Sequence, residues 1–397
     1  MNPTKPPRLS PTVRKLGWIS FLTDVASEMV YPVIPLFVVG VLGLPVVVLG
    51  SIEGVAEGIV NVMNGLSGWQ SDRSGRRLPL IRWGYGLAAA SKPLLALAFH
   101  WPVVLFARSL DRVGKGLRSS ARDALIADGS TKENLGRGFG FHRAMDTAGA
   151  LTGVLLSALL LRFLPQSYRM IFVLAVLPGI AAVWLAFRLR EAAPRPAATL
   201  PRPSLREWFD FPASYWRTLA LFLLFALANS SDTLLLLRAK SVGLADSTVI
   251  LAYAIYNLTY AAISYPAGIV SDRLGRWRVI ALGWGIYAAV YFGFAKATMI
   301  TVFPLFALYG CYIGLVHGVG KALIAENAPA DRRGTAMGLF QMSTGLTTVV
   351  SSVVAGLLWD KISPAAPFYF GSAVAVLALL LIPFLSPSNS PLKSSSN

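Results

Sequence analysis

Gly68 to Ile81 reads GWQSDRSGRRLPLI and lies between two long apolar runs. Asp72, Arg73, Arg76 and Arg77 are too polar for hydrocarbon, so the stretch is expected to be a tight loop at a membrane face. Gly68 allows two helices to approach closely, and Gly75 allows a turn with positive φ. The stretch returns at Gly268 to Ile280 as GIVSDRLGRWRVI. Asp272, Gly275 and Arg276 repeat Asp72, Gly75 and Arg76 at an offset of 200 (272 − 72), with Arg273 repeating Arg73. A second echo runs alongside: ALIAD, Ala124 to Asp128, recurs as ALIAE, Ala322 to Glu326, at an offset of 198 (322 − 124). Two echoes at nearly one offset indicate a duplicated half, an internal symmetry that transporters use.

Composition points the same way. The 397 residues are 55% hydrophobic and 14% charged, against about 25% charged in soluble domains; mean hydropathy is +0.59. A net charge of +17 would suit nucleic acid, but the cations stand in short clusters between apolar runs, the pattern of a positive-inside membrane protein. Nucleic acid is therefore excluded as a partner, and the bilayer takes its place. Cys311 alone makes neither an internal disulfide nor a metal site, and no phosphate-cradling G-x-x-x-x-G-K-[ST] loop is present. No cofactor or metal is expected.

Twelve spans are predicted: 16–41, 46–70, 79–99, 102–123, 138–162, 168–189, 215–237, 247–271, 277–296, 300–324, 334–358 and 365–386. Each is long enough for a core of about 30 Å, which takes about 20 residues. The first run carries Asp24 and Glu28 and no convincing cleavage site follows it, so it reads as a span rather than a removed signal. Residues 1–189 form one six-helix bundle, 190–214 a Pro- and Arg-rich linker, and 215–397 the second bundle. Loops on the linker side carry Arg73, Arg76, Arg77, Arg118, Arg122, Lys132, Arg137 and further arginines. The other side carries only Arg162, Arg169, Arg238, Lys240, Lys296 and Lys361. Both termini are thus expected in the cytoplasm.

Ionisable groups at membrane depth mark function. Asp24 and Glu28 share a face of the first span, Glu53 and Glu57 one of the second. The fourth carries Arg108, Asp111, Arg112 and Lys115 at i, i+3, i+4 and i+7, one polar stripe. The fifth begins with His142, Arg143 and Asp146. Asp232 lies 208 positions after Asp24 (232 − 24) and is a candidate symmetry mate. His317 and Lys321 lie on the tenth span, and Tyr253, Tyr256, Asn257 and Tyr260 share one face of the eighth as a cavity lining. Arg112 is expected to pair with a carboxylate of the first or second span, because a buried guanidinium needs a counter-charge. Lys92, before Pro93, reads as snorkelling outward. His142 reads as a hydrogen-bonded residue near the membrane surface.

The pattern G-x-x-x-D-R-x-G-R-R between apolar runs resembles the loop signature of the major facilitator superfamily, found between helices 2 and 3 with a weaker copy between helices 8 and 9. The resemblance covers nearly the whole chain. It implies an all-α membrane protein of twelve transmembrane helices in two pseudo-symmetric six-helix bundles. It also implies a cavity lined by helices 1, 2, 4 and 5 on one side and 7, 8, 10 and 11 on the other. The charged loops are then a latch holding the halves together at the inner face, from Gly68, Asp72, Arg73, Gly75, Arg76 and Arg77 and their repeats Asp272, Arg273, Gly275 and Arg276. Arg112 to Ser120, RVGKGLRSS, resembles the helix-4 motif of the drug:proton antiporter branch, with Gly116 four positions after the Arg. Arg118 departs from that motif's small residues, and Val154 stands where the helix-5 motif has Pro.

The expected function is secondary active transport of a small solute across a bacterial inner membrane, by a monomer. The first reading is proton-coupled efflux of a drug-like or metabolic compound. The alternative is proton-coupled uptake of an anionic solute such as a siderophore. A membrane-embedded enzyme would need a catalytic cluster, which three scattered histidines and one cysteine do not supply. A channel has no evident need of two matched latches. Glu28 and Glu57 are ranked as proton carriers ahead of Asp24, Asp146 and Asp232.

Overall fold

The computed structural model describes residues 9–74, 76–130, 135–189, 210–329 and 332–386, without the side chains of 68–69, 71–74, 135–136 and 334. It is all-helical over the described residues. Ser10 starts α1 (Pro11–Val30): its hydroxyl accepts from the Val13 N–H at 3.3 Å, and Pro11 needs no donor partner there. Past Val30 the helix changes pitch around Pro32 and Pro35, through a 3-10 turn Tyr31–Val33 and a π turn Leu36–Val41. Then come α2 (Val46–Ser74), α3 (Leu78–Ala96), α4 (Trp101–Asp128) and α5 (Leu135–Phe163). The sixth span is α6 (Tyr168–Leu174) with α7 (Val176–Phe187), jointed at Ala175.

The second half opens with α8 (Ala213–Ala228) and α9 (Thr233–Ser241), followed by α10 (Asp246–Leu274), α11 (Arg276–Ala295), α12 (Val302–Glu326), α13 (Arg333–Lys361) and α14 (Ala366–Leu385). The predicted spans agree to within a few residues, with one correction. The seventh, read as continuous over 215–237, is broken at Asn229–Asp232. Four successive polar residues, all of types that bond readily to nearby backbone, compete there with the helical ladder. Nine helices among the described residues are long and apolar enough to cross a membrane by length and composition. The other three of the twelve predicted spans, α1, α3 and α4, include Asp24, Glu28, Lys92 and the α4 charge stripe. Trp83, Trp184, Tyr265 and Phe384 stand exposed on the outer surface, as a lipid-facing surface requires.

Helices α1 to α7 pack mainly on one another, as do α8 to α14; the two sets meet along α2 with α13 and α5 with α10. The α2–α13 seam is made of backbone. A methyl group at Gly54 would meet Val349 Cα at 3.0 Å, one at Gly58 the Val349 side chain at 3.3 Å, and Gly50 lies against the Ser352 carbonyl. The seam is tied at the face away from both termini. There Asp360 of α13 accepts from the N–H groups of Val46 (3.0 Å) and Val47 (2.8 Å), capping α2 from the other half. Tyr168 of α6 donates to Asp246 of α10 on the same face.

Candidate functional site

A cavity of about 170 Å³ lies between the halves at mid-depth, lined on one side by α1, α2 and α4 and on the other by Asp232 and Tyr253. The α4 stripe builds its charged wall. Arg108 grips Glu53 with two parallel bonds, Nε to Oε1 at 2.7 Å and Nη2 to Oε2 at 2.6 Å, the fork-on-fork geometry that only arginine offers. Arg108 and Glu53 are 3% and 1% exposed. Asp111 takes Lys92 Nζ at 2.6 Å and lies 3.7 Å from Arg108 Nη1. Arg112 Nη2 reaches Glu57 Oε1 at 3.3 Å, so the expected partnership of Arg112 forms with the second span. Both guanidinium groups lie over the Tyr31 ring, at 5.5 and 5.8 Å.

The opposite wall is phenolic. Tyr253 Oη donates to Glu28 Oε2 at 3.2 Å, across the interface between halves. Asp232, at the break between α8 and α9, accepts from Tyr256 at 3.2 Å and from Tyr309 at 2.6 Å. Tyr31 and Tyr253 bring their rings to 5.8 Å. Asn257 instead bonds the Tyr253 carbonyl of its own helix, at 3.0 Å. Tyr260 accepts from Arg143 at 2.8 Å, and its ring lies 6.5 Å from that of His317. Asp24 lines the cavity and has no ion pair within 4 Å among the described residues. Asp146 is set apart, held by the Ser20 hydroxyl and by His142 Nδ1 at 3.4 Å.

Two expectations are corrected. Lys92 does not snorkel outward: it is 2% exposed and turned inward onto Asp111 and Ser27, because the carboxylate of α4 offers a better partner than a distant headgroup. His142 is buried, at 4% exposure, against Asp146. Arg118, Tyr31 and Tyr309 were not foreseen at the site. Arg118 continues the α4 stripe at three residues beyond Lys115, a spacing that puts it on the same face.

In the charged turns, Gly75 and the side chains of Gly68, Asp72 and Arg73 lie outside the described residues. The described pairs stay within one half: Arg77 Nη1 with Asp128 Oδ2 at 2.5 Å, and Arg276 Nη1 with Glu326 Oε1 at 2.8 Å. Asp272 lies 3.8 Å from Arg276. The two sequence echoes therefore meet, each turn's arginine binding the acidic end of its ALIAD or ALIAE. Arg76 lies beside Arg77 at the head of α3, and Arg273 is exposed in the last turn of α10. Gly275 has φ +92°, the conformation expected of its counterpart in the first turn.

The family model of the Major Facilitator Superfamily matches residues 16–237 and again 218–397. An uncharacterized MFS-type transporter of Methanocaldococcus jannaschii is 35% identical over 385 residues, 95% of each chain. The quinolone resistance protein NorA of Staphylococcus aureus is 25% identical over 162 residues, 41% of this chain and 42% of that one. The crystal structure of the nucleoside transporter NupG superposes with a TM-score of 0.77 at 13% identity, covering 94% of this chain and 99% of that one. Fold, cavity and sequence agree: the chain is a transporter, not an enzyme, and it belongs to the major facilitator superfamily.

Proposed function

We propose that this protein couples a proton gradient to efflux of a small polar metabolic compound across a bacterial inner membrane, as a monomer with both termini in the cytoplasm. One observation carries the coupling: the Glu28 carboxylate on α1 is bonded to Tyr253 of the opposite half. Alternating access separates the halves, so the state of Glu28 and the state of the transporter change together. A protonated Glu28 and an ionised one then favour different conformations. Glu57, tied to Arg112 within its own half, is the second carrier. The many charges on the cavity wall favour a hydrophilic solute over an apolar drug. The direction rests on the partial likeness to the antiporter helix-4 motif and to NorA. Uptake of an anionic solute is the second reading, favoured by the unpaired cations Lys115 and Arg118 on the cavity wall.

The solute pool that changes between overexpressing and deletion cells supplies the substrate for reconstitution. In proteoliposomes an imposed pH difference should drive its accumulation, and Glu28→Gln should abolish that while sparing exchange at equal pH, since the amide mimics the neutral acid. Full concentrative transport by Glu28→Gln removes this residue from the mechanism.

A further inference from the structure

Ion pairs engage Arg108, Asp111, Arg112 and Glu57 of the cavity wall and leave Lys115 and Arg118 facing Asp24, Glu28 and Asp232, so what remains is bipolar. Arg118 is 5% exposed and lines the cavity, yet among the described residues its Nη1 has no hydrogen-bond partner and no carboxylate lies within 4 Å. Its guanidinium lies over the Tyr85 ring behind it, 4.8 Å away. One turn along α4, Lys115 is exposed to the cavity without an ion pair. Asp24 acts on both cations only from beyond contact distance. Across the cavity, in the other half, Asp232 has two phenol donors and, among the described residues, no cation within 4 Å. Tyr253 and Tyr256 stand beside it with rings 5.3 Å apart.

We infer that the cavity takes a compact zwitterion, its acid group on Arg118 and Lys115 and its ammonium on Asp232 among the tyrosine rings; this rests on the reading of the cavity as the solute site. A buried guanidinium with open N–H groups is costly until an anion fills them. A carboxylate flanked by aromatic faces is a strong receptor for an ammonium ion. A plain anion leaves Asp232 unanswered, a plain cation leaves Arg118 unanswered, and a neutral solute leaves both. A zwitterion answers both at once. Its two poles then sit on opposite halves, so binding draws them together.

The test is binding to the purified full chain in detergent, with no gradient, read as a rise in unfolding temperature. The probes are the ω-amino acids from β-alanine to 8-aminooctanoate and the common α-amino acids. Each is compared with its methyl ester, which keeps only the ammonium, and its N-acetyl derivative, which keeps only the acid. At least one zwitterion should stabilise the protein at tenfold lower concentration than either derivative. Asp232→Asn should abolish the penalty for N-acetylation, and Arg118→Gln that for esterification. If either variant does not fold, Tyr256→Leu, which removes a ring beside Asp232, and Lys115→Gln carry the same two readouts. A flat response across the series, or esters and N-acetyl derivatives as good as their parents, overturns the assignment. Either result leaves the Glu28 proton-coupling test standing on its own outcome.

Discussion

Replacing Arg108 by Met removes the least exposed charge lining the cavity and strands Glu53, which has no other cation within 4 Å among the described residues. Glu53 and Arg108 are 1% and 3% exposed and joined at 2.6 and 2.7 Å, so neither is rescued by water. Breaking such a pair by removing one partner costs about 3–5 kcal/mol, because a charge is left buried and unanswered. Replacing both partners by apolar residues of similar volume is close to neutral. Arg108→Met and Glu53→Met should therefore each lower the unfolding temperature in detergent by several degrees, taking about 2 °C per kcal/mol for a large chain. The double variant should recover most of the loss, its cost falling far below the sum of the two single costs. Scanning fluorimetry at one fixed heating rate compares the four proteins, since unfolding of such chains is rate-dependent. A double variant as unstable as Arg108→Met would show that packing, not charge, holds α4 against α2.

Two further outcomes are expected. Asp360→Ala removes the cap that α13 places on α2, worth about 0.5–2 kcal/mol; electron-spin distances between labels at Pro45 and Ser363 should lengthen or broaden relative to the parent. Gly275→Ala forces a side chain into φ +92° at a cost of about 1–3 kcal/mol, and a drop in unfolding temperature should appear without change in the cavity's binding of solute.

Much of the site was legible because charge at membrane depth is rare and helical spacing is regular. Arg108, Asp111, Arg112 and Lys115 declared a face, and two Glu residues four apart on the next span declared its partner. The choice among partners was not legible. Nothing local distinguishes Glu53 from Glu57, yet Arg108 took the first and Arg112 the second, because α2 and α4 run parallel at a register that sets 53 beside 108 and 57 beside 112. Lys92 was misread for the same reason: its inward carboxylate comes from α4, 19 residues away in sequence. Arg118 looked like a departure from a motif of small residues, when its position on the stripe already made it a cavity residue. The run Asn229 to Asp232 did carry a signal for the break, but average hydropathy over the window hides four residues. The repeat predicted that the turns match; only the fold shows each turn bound to the other echo.

The seam between α2 and α13 sets how the molecule rests. Because Gly50 and Gly54 meet backbone of the partner helix, that wall has almost no side-chain slack to absorb added bulk. One methyl group on this line presses on the partner helix rather than on a cavity side chain, and so should shift which way the cavity faces more than what it holds. Resting orientation and solute choice are then inherited separately. Drift at a few glycines can retune the working cycle of a relative while its cavity stays the same, and a designer can set the two by independent substitutions.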